Sequence, residues 1–410
     1  ETIAMKKRLN KKYILSTLII VLLLSGIYVS VKNGFKLINL TNSLNRNEIV
    51  SEDITVTVAK GKLEVTLVSG VDLIPDSKKA ADMKKNTTNL QKTIDNLSDN
   101  GGGTIYLPAG TFYFSQGGIA AHGNEDYVIH CRNNVHLKGA GTNENNLNYL
   151  TVLKPYYYAP KADGGMDMFY FNNYADTNYS NDGKVTTSTV KDLTFTDMNG
   201  TKQTLKKQTV YLINADFSDF IVDADEARGG IASCGGTYKT DGKGFMINLF
   251  KDCDWNNVVV KNTDATGFGI DCPLNSTMTN CKAINCGKAA TTTDGGASGF
   301  GIGVGYDNNE SLIIKNCIAL NNKKFGFFFE HQARFSEDHY KATTSGNFVV
   351  SNSVAGGNMY DFGGLKAYDV IYENVKSVSG QTYYAHADFK KTTSATTSTC
   401  DAYTKLNYST

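Results

Sequence analysis

The chain has 410 residues, with 41 lysines and arginines against 40 aspartates and glutamates, a formal charge of +1. That balance excludes the basic footprint of a nucleic-acid binder and the one-sided charge that a strongly ionic partner would meet. Glycine at 39, proline at only 5, 23 tyrosines and 20 phenylalanines exclude a proline-rich disordered chain and describe a folded one with many tight corners.

In chain order, "ETIA" before Met5 reads as a cloning leader and is set aside. Lys6, Lys7, Arg8, Lys11 and Lys12 then precede the uncharged run "YILSTLIIVLLLSGIYVSV", Tyr13 to Val31, with only Lys32 just after it. The run is close to the ~20 residues that span a bilayer core, and the cation bias places the N-terminus in the cytoplasm. No A-x-A-like cleavage site follows it, so the expectation is a transmembrane anchor in the cell membrane with the remainder extracytoplasmic. The alternative is a cleaved signal and a secreted product. The expected organisation is residues 1–35 for the leader, basic segment and anchor, 36–85 for a stalk, 86–380 for the main domain and 381–410 for a Thr/Ser-rich cap or tail. Within the stalk, "ITVTVAKGKLEVTLV" alternates around Lys60-Gly61 and predicts a β-hairpin. Farther on, Leu90, Ile94 and Leu97 share one face of a short helix.

Self-similarity decides the fold. The segments "KNTDA" (261–265), "TNCKA" (279–283), "KNCIA" (315–319) and "SNSVA" (351–355) align, and "ENVKS" (373–377) follows with serine for alanine, at intervals of 18, 36, 36 and 22 residues. Such spacing belongs to a stacked coil whose insertions leave at the corners. Asn262, Asn280, Asn316, Asn352 and Asn374 are expected to stack at one corner. The preceding strands, such as "NNVVVKN" and "SLIIKN", are short and β-branched with no helices between them, which excludes βαβ units and predicts a parallel β-helix. The cysteines at 131, 234, 253, 272, 281, 286, 317 and 400 show no metal spacing and are expected to be mostly free core thiols.

"LQKTIDNLSDNGGGTIYLPAGTFYF", Leu90 to Phe114, resembles the N-terminal cap and first coil of right-handed β-helix proteins of the pectate-lyase-like superfamily, and "VHLKGAGTNENNLNYLTVLKP", Val135 to Pro155, resembles the next coil. The resemblance covers roughly residues 86 to 380. It implies an all-β, single-stranded right-handed parallel β-helix with an N-terminal capping helix, in a carbohydrate-active or glycan-binding protein. It does not choose among lyases, hydrolases, epimerases and tailspikes, because function resides in the site and not the fold.

A second alignment places carboxylates. In "GFMIN" (244–248), "GFGID" (267–271), "GFGIG" (299–303) and "GFFFE" (326–330), the second and fourth positions are large and apolar. With a strand period of two they point inward, so Asn248, Asp271, Gly303 and Glu330 form an outward column. Asp271 and Glu330 stand two rungs apart, about 9.6 Å between backbones, with a glycine leaving the gap open. Carboxyls about 6.5–9.5 Å apart suit an inverting glycosidase, whereas about 5 Å suits a retaining one. The expected catalytic pair is therefore Asp271, as base, and Glu330, as acid. A carboxylate at any single outward position is unremarkable, so the neighbourhood counts. "GVGYDNNES" (303–311) brings Tyr306, Asp307 and Glu310, and "FSEDHYKATTSGN" (335–347) brings Tyr340. With Asn248, His331 and Arg334 these are the candidate substrate-binding residues of a polysaccharide groove. No cofactor is required, although Asp307 and Glu310 could hold Ca2+ through oxygen ligands. "FGID" also resembles the [YF]-G-F-D stretch of alginate C5-epimerases, with Asp271 at their catalytic aspartate. Here Phe268 replaces the tyrosine and "CPL" replaces P-H-D, so the partner groups of that chemistry are missing. The expected function is a polysaccharide-degrading or -modifying enzyme, a glycoside hydrolase first, with a lyase or epimerase and a non-catalytic glycan-binding surface protein as alternatives.

Overall fold

The computed structural model describes residues 48–50, 54–59, 62–119, 126–143, 145, 147–156, 166–172, 191–197, 202–208, 211–225, 242–288, 297–304, 310–331, 348–365 and 370–378. The chain divides into two units, Glu1–Gly70 and Val71–Thr410. In the first, strands Glu48–Val50, Ile54–Ala59 and Lys62–Gly70 pair antiparallel, and the pair Ala59 with Lys62 flanks the Lys-Gly turn of the expected hairpin. The apolar run from Tyr13 to Val31 lies outside the described residues, as do Cys234, Cys400 and the C-terminal tail. Among the described residues, no helix is long and apolar enough to cross a membrane.

The second unit begins with helix α1, Ala80–Asp99, which buries Leu90, Ile94 and Leu97 together with Met83, Asn86 and Thr87. Its polar residues work on the strand edge that it covers. The Gln91 side-chain amide accepts from His130 N–H (2.8 Å) and donates to His130 C=O (3.0 Å), standing in for a neighbouring strand. After the helix, Gly102 takes φ 100°, and a Cβ there would lie 2.2 Å from Asn134 O, so only glycine fits.

Beyond the cap the chain winds through three parallel sheets. One runs from Gly103–Tyr106 through Ser276–Thr279 to Val370–Glu373, the second from Gly110–Phe114 through Lys282–Ile284 to Lys376–Ser377, and the third from Asp126–His130 through Phe268–Leu274 to Tyr360–Leu365. Each strand pairs in register with its counterpart one coil on. This is a parallel β-helix, right-handed as such crossovers are.

Left-handed residues turn the coil at all three corners, with φ between 47° and 61°. Asn134, Asn214, Asp252 and Asn275 lead from the third sheet to the first. Asp219, Asn257, Asn280, Asn316, Asn352 and Asn374 lead from the first to the second. Asn262, Asn285 and Asn321 lead from the second to the third. Short amide side chains tolerate this conformation and bond along the stack, as in Asn374 to Asn352 (2.6 Å), Asn285 to Asn262 (2.7 Å) and Asn275 to Asp252 (2.6 Å).

One expectation is corrected here. Asn280, Asn316, Asn352 and Asn374 share a corner as predicted, but Asn262 belongs to the next one, and its coil's member of the column is Asn257. The alanine column likewise runs Val260, Ala283, Ala319, Ala355, without Ala265. The two corners share one chemistry, a left-handed asparagine followed by a small buried residue, so "KNTDA" mimics "TNCKA" while sitting one side further round.

Inside, Phe169, Phe245, Phe268, Phe300, Phe327 and Phe362 stack up the third sheet with ring centroids 4.7 to 5.5 Å apart. Such pairs add about 0.5–1.5 kcal/mol each beyond burial and lock the register. The six described cysteines are free and buried.

The corner geometry predicts a contrast at exposed Asn316 (φ 56°). Asn316→Ala should cost about 1–2 kcal/mol in urea unfolding, whereas Asn316→Gly should be nearly neutral. Equal losses would mean that the left-handed backbone is not what asparagine supplies.

Candidate active site

The outer face of the third sheet carries the predicted column. Register pairs join Asn248 with Asp271, Asp271 with Gly303, and Gly303 with Glu330. Phe245 and Ile247, Phe268 and Ile270, Phe300 and Ile302, and Phe327 and Phe329 all lie in the core, so alternation sends these four residues outward. Phe325 and Phe328 are the exceptions among the phenylalanines of their strand: they form a cluster separate from the core, stacked with ring centroids 4.3 Å apart.

Asp271 is held from two sides. Its Oδ1 accepts from Gly303 N–H at 2.8 Å. With the Asn248 amide oriented to satisfy its neighbours, Asn248 donates to Asp271 Oδ2 (3.0 Å) and accepts from Asn172 Nδ2 (3.2 Å). Two donors aimed at the two oxygens suit an ionised carboxylate. Asn248, expected from sequence among the substrate-binding residues, is fully buried beneath this bond to Asp271.

Glu330 is different. Burial first, and the nearby Asp271 charge second, push its carboxyl from 4.5 up to about 7, against a pull from the Lys324 ammonium. One carboxylate thus receives hydrogen bonds while the other retains a proton near neutrality, the asymmetry that an acid–base pair needs.

Sequence reasoning missed several neighbours. Lys324 is fully buried just before Phe325–His331, with its Nζ 5.2 Å from the Phe325 ring centroid. Lys243 lies over Gly269, where a Cβ would come 2.7 Å from its Cδ, and its Nζ approaches Met246 Sδ at 2.8 Å. A lysine shortly before a Phe-rich strand was the available signal at both places. Leu249 and Cys272, the residues following Asn248 and Asp271, are left-handed inside strands. Of the other sequence candidates, Glu310 is 2% exposed. His331 closes its strand opposite Val304. Tyr306, Asp307, Arg334 and Tyr340 lie outside the described residues. Among the described residues, no group of three or more His, Cys, Asp or Glu side chains is arranged to hold a metal ion.

No known family profile matches the chain, and no curated protein matches it. Among solved structures, the chain is similar to the A-module of a mannuronan C-5 epimerase from Azotobacter vinelandii (16% identity, 72% of this chain and 75% of that one, TM-score 0.40). It is also similar to a tailspike protein of E. coli bacteriophage HK620 (16% identity, 75% of this chain and 43% of that one, TM-score 0.43). A third is the tailspike of Acinetobacter baumannii bacteriophage Fri1, a capsular polysaccharide depolymerase (14% identity, 81% and 52%, TM-score 0.42).

The raised Glu330 carboxyl has a thermodynamic signature. Below pH 4.5 both folded and unfolded chains hold the proton, and the site costs nothing. Between pH 4.5 and about 7 the unfolded chain releases it first, so native stability falls as pH rises. Glu330→Gln should therefore stabilise the protein at pH 8, by on the order of 3 kcal/mol at most, and leave it unchanged at pH 4. Denaturant melts at the two pH values measure this, and a gain that is the same at both would refute the assignment.

Proposed function

We propose that the protein is a polysaccharide hydrolase that inverts the anomeric centre, with Glu330 as general acid and Asp271 as general base. The observation that carries this reading is the placement of both carboxylates on one outward column, two rungs apart, with Gly303 between them. Their backbones are separated by about 9.6 Å, which leaves the room for a water that inversion requires. In the step, Asp271 takes a proton from that water as its oxygen attacks the anomeric carbon. Glu330 delivers its own proton to the departing glycosidic oxygen, so one proton enters and one leaves the pair. The Gly303 N–H and Asn248 amide keep Asp271 an acceptor, and burial keeps Glu330 a donor. The proposal includes location: Tyr13 to Val31 would anchor the β-helix at the outer face of the cell membrane, as its sequence suggests.

A second reading, β-elimination or epimerisation of a uronate, is favoured by the two buried lysines, whose ammoniums could neutralise a sugar carboxylate. Products separate the readings. Incubation with a panel of polysaccharides should yield new reducing ends, and Glu330→Gln should lower turnover by about 10²–10⁴-fold while glycan binding persists. Ultraviolet-absorbing unsaturated ends would instead support elimination. Binding without any product would mark a non-catalytic glycan receptor, and full activity of both Glu330→Gln and Asp271→Asn would sink the pair.

A further inference from the structure

Among the described residues, nearly all the left-handed non-glycine residues lie at the coil's corners and are asparagine or aspartate, and Asp76 precedes the capping helix. Leu249 (φ 60°) and Cys272 (φ 59°) are neither. Both are fully buried, both lie within strands, and they occupy consecutive rungs of the third sheet. Without a short oxygen-bearing side chain, each is held there against its own backbone preference.

The pairing explains what this conformation accomplishes. Asn248 pairs with Asp271 and Phe250 with Pro273, while Leu249 and Cys272 are skipped. Phe245, Ile247 and Phe250 all reach the core, so two residues in a row, Asn248 and Leu249, stay on the outer side. Leu249 and Cys272 pack there with Tyr211 in a separate apolar cluster. One strand further on, the pairing of Phe268–Leu274 with Phe300–Val304 ends at Asp271 with Gly303, although Phe300–Val304 continues beside Phe325–His331 to the pair Val304 with His331. The Asp271 carboxylate, just before left-handed Cys272, reaches the neighbouring strand at Gly303 N–H.

We propose that Leu249 and Cys272 are positioning residues: their stacked left-handed backbones turn the outer face of the third sheet at Asp271 and hold that carboxylate against Gly303 N–H, facing Glu330. The inference rests on the acid–base reading of Asp271 and Glu330, and its test keeps the two separable. The pairing keeps one offset on either side of the two residues, Asn248 with Asp271 and Phe250 with Pro273, so the neighbouring rungs stay in register, and strained backbone gathers where geometry has to be imposed.

The test follows Glu330 by carbon-13 NMR titration in the intact protein. Among the described residues, the charged groups acting on it are Asp271 and Lys324. Asp271→Asn should lower the Glu330 midpoint by at least about half a pH unit, as withdrawal of a like charge does. Cys272→Val, whose β-branched side chain opposes a left-handed backbone, should lower it in the same direction. Cys272→Gly, which adopts that backbone freely, should leave it in place. If Cys272→Val does not fold, Cys272→Ala serves in its stead. A midpoint that responds to Asp271→Asn but not to Cys272→Val or Cys272→Ala overturns the positioning role alone. A midpoint unmoved by Asp271→Asn overturns the paired reading, and the inference with it.

Discussion

Among the described residues, single left-handed residues turn the coil at all three of its corners, with no α-helix between one strand of the coil and the next. Everything else depends on that economy. A one-residue corner preserves register from coil to coil, so that Phe169 through Phe362 stack as one internal ladder and Asn248 through Glu330 as one external column. Because rungs are fixed at about 4.8 Å, distances between outward side chains come in steps. Adjacent rungs set outward carboxylates near the spacing of a retaining pair and alternate rungs near that of an inverting one.

The costs in the second unit are concentrated on one face. Corner backbones are relieved by asparagine, the open edge of the first coil is met by Gln91, and the thiols are buried as small apolar groups. By contrast, the outer face of the third sheet holds an acid whose carboxyl is raised to about 7, two buried lysines and two left-handed residues without the usual side chains. At about 1–2 kcal/mol for each such backbone, and a few more for the acid, these features spend stability that a purely structural sheet would keep. Local violations of the rules that the rest of a chain obeys tend to mark its working site.

Much of this was legible in the sequence because stacking makes neighbours repeat. Alternation in "GFGID" and "GFFFE" was enough to put Asp271 and Glu330 outward and in register, and Leu90, Ile94 and Leu97 identified the cap. Corner assignment was harder. Asn262 and Asn280 are both asparagines before a small buried residue, and only strand pairing tells their corners apart. The left-handed Leu249 left a trace that a strict period of two hides: the inward apolar positions run 245, 247, 250, a step of three where two is expected. The burial of Asn248 is not revealed by an outward position, and the buried lysines precede their strands, outside the alternation that marks the column.

The central claim is that two carboxylates distant in sequence meet on one face of the coil, and a double-mutant cycle on folding stability at pH 8 tests it most directly. With both groups ionised, Asp271→Asn and Glu330→Gln each relieve the same repulsion, so the double variant should gain less than the sum of the single gains, by about 0.5–3 kcal/mol. Additivity within about 0.3–0.5 kcal/mol would mean that the two groups do not sense each other, and would contradict the account.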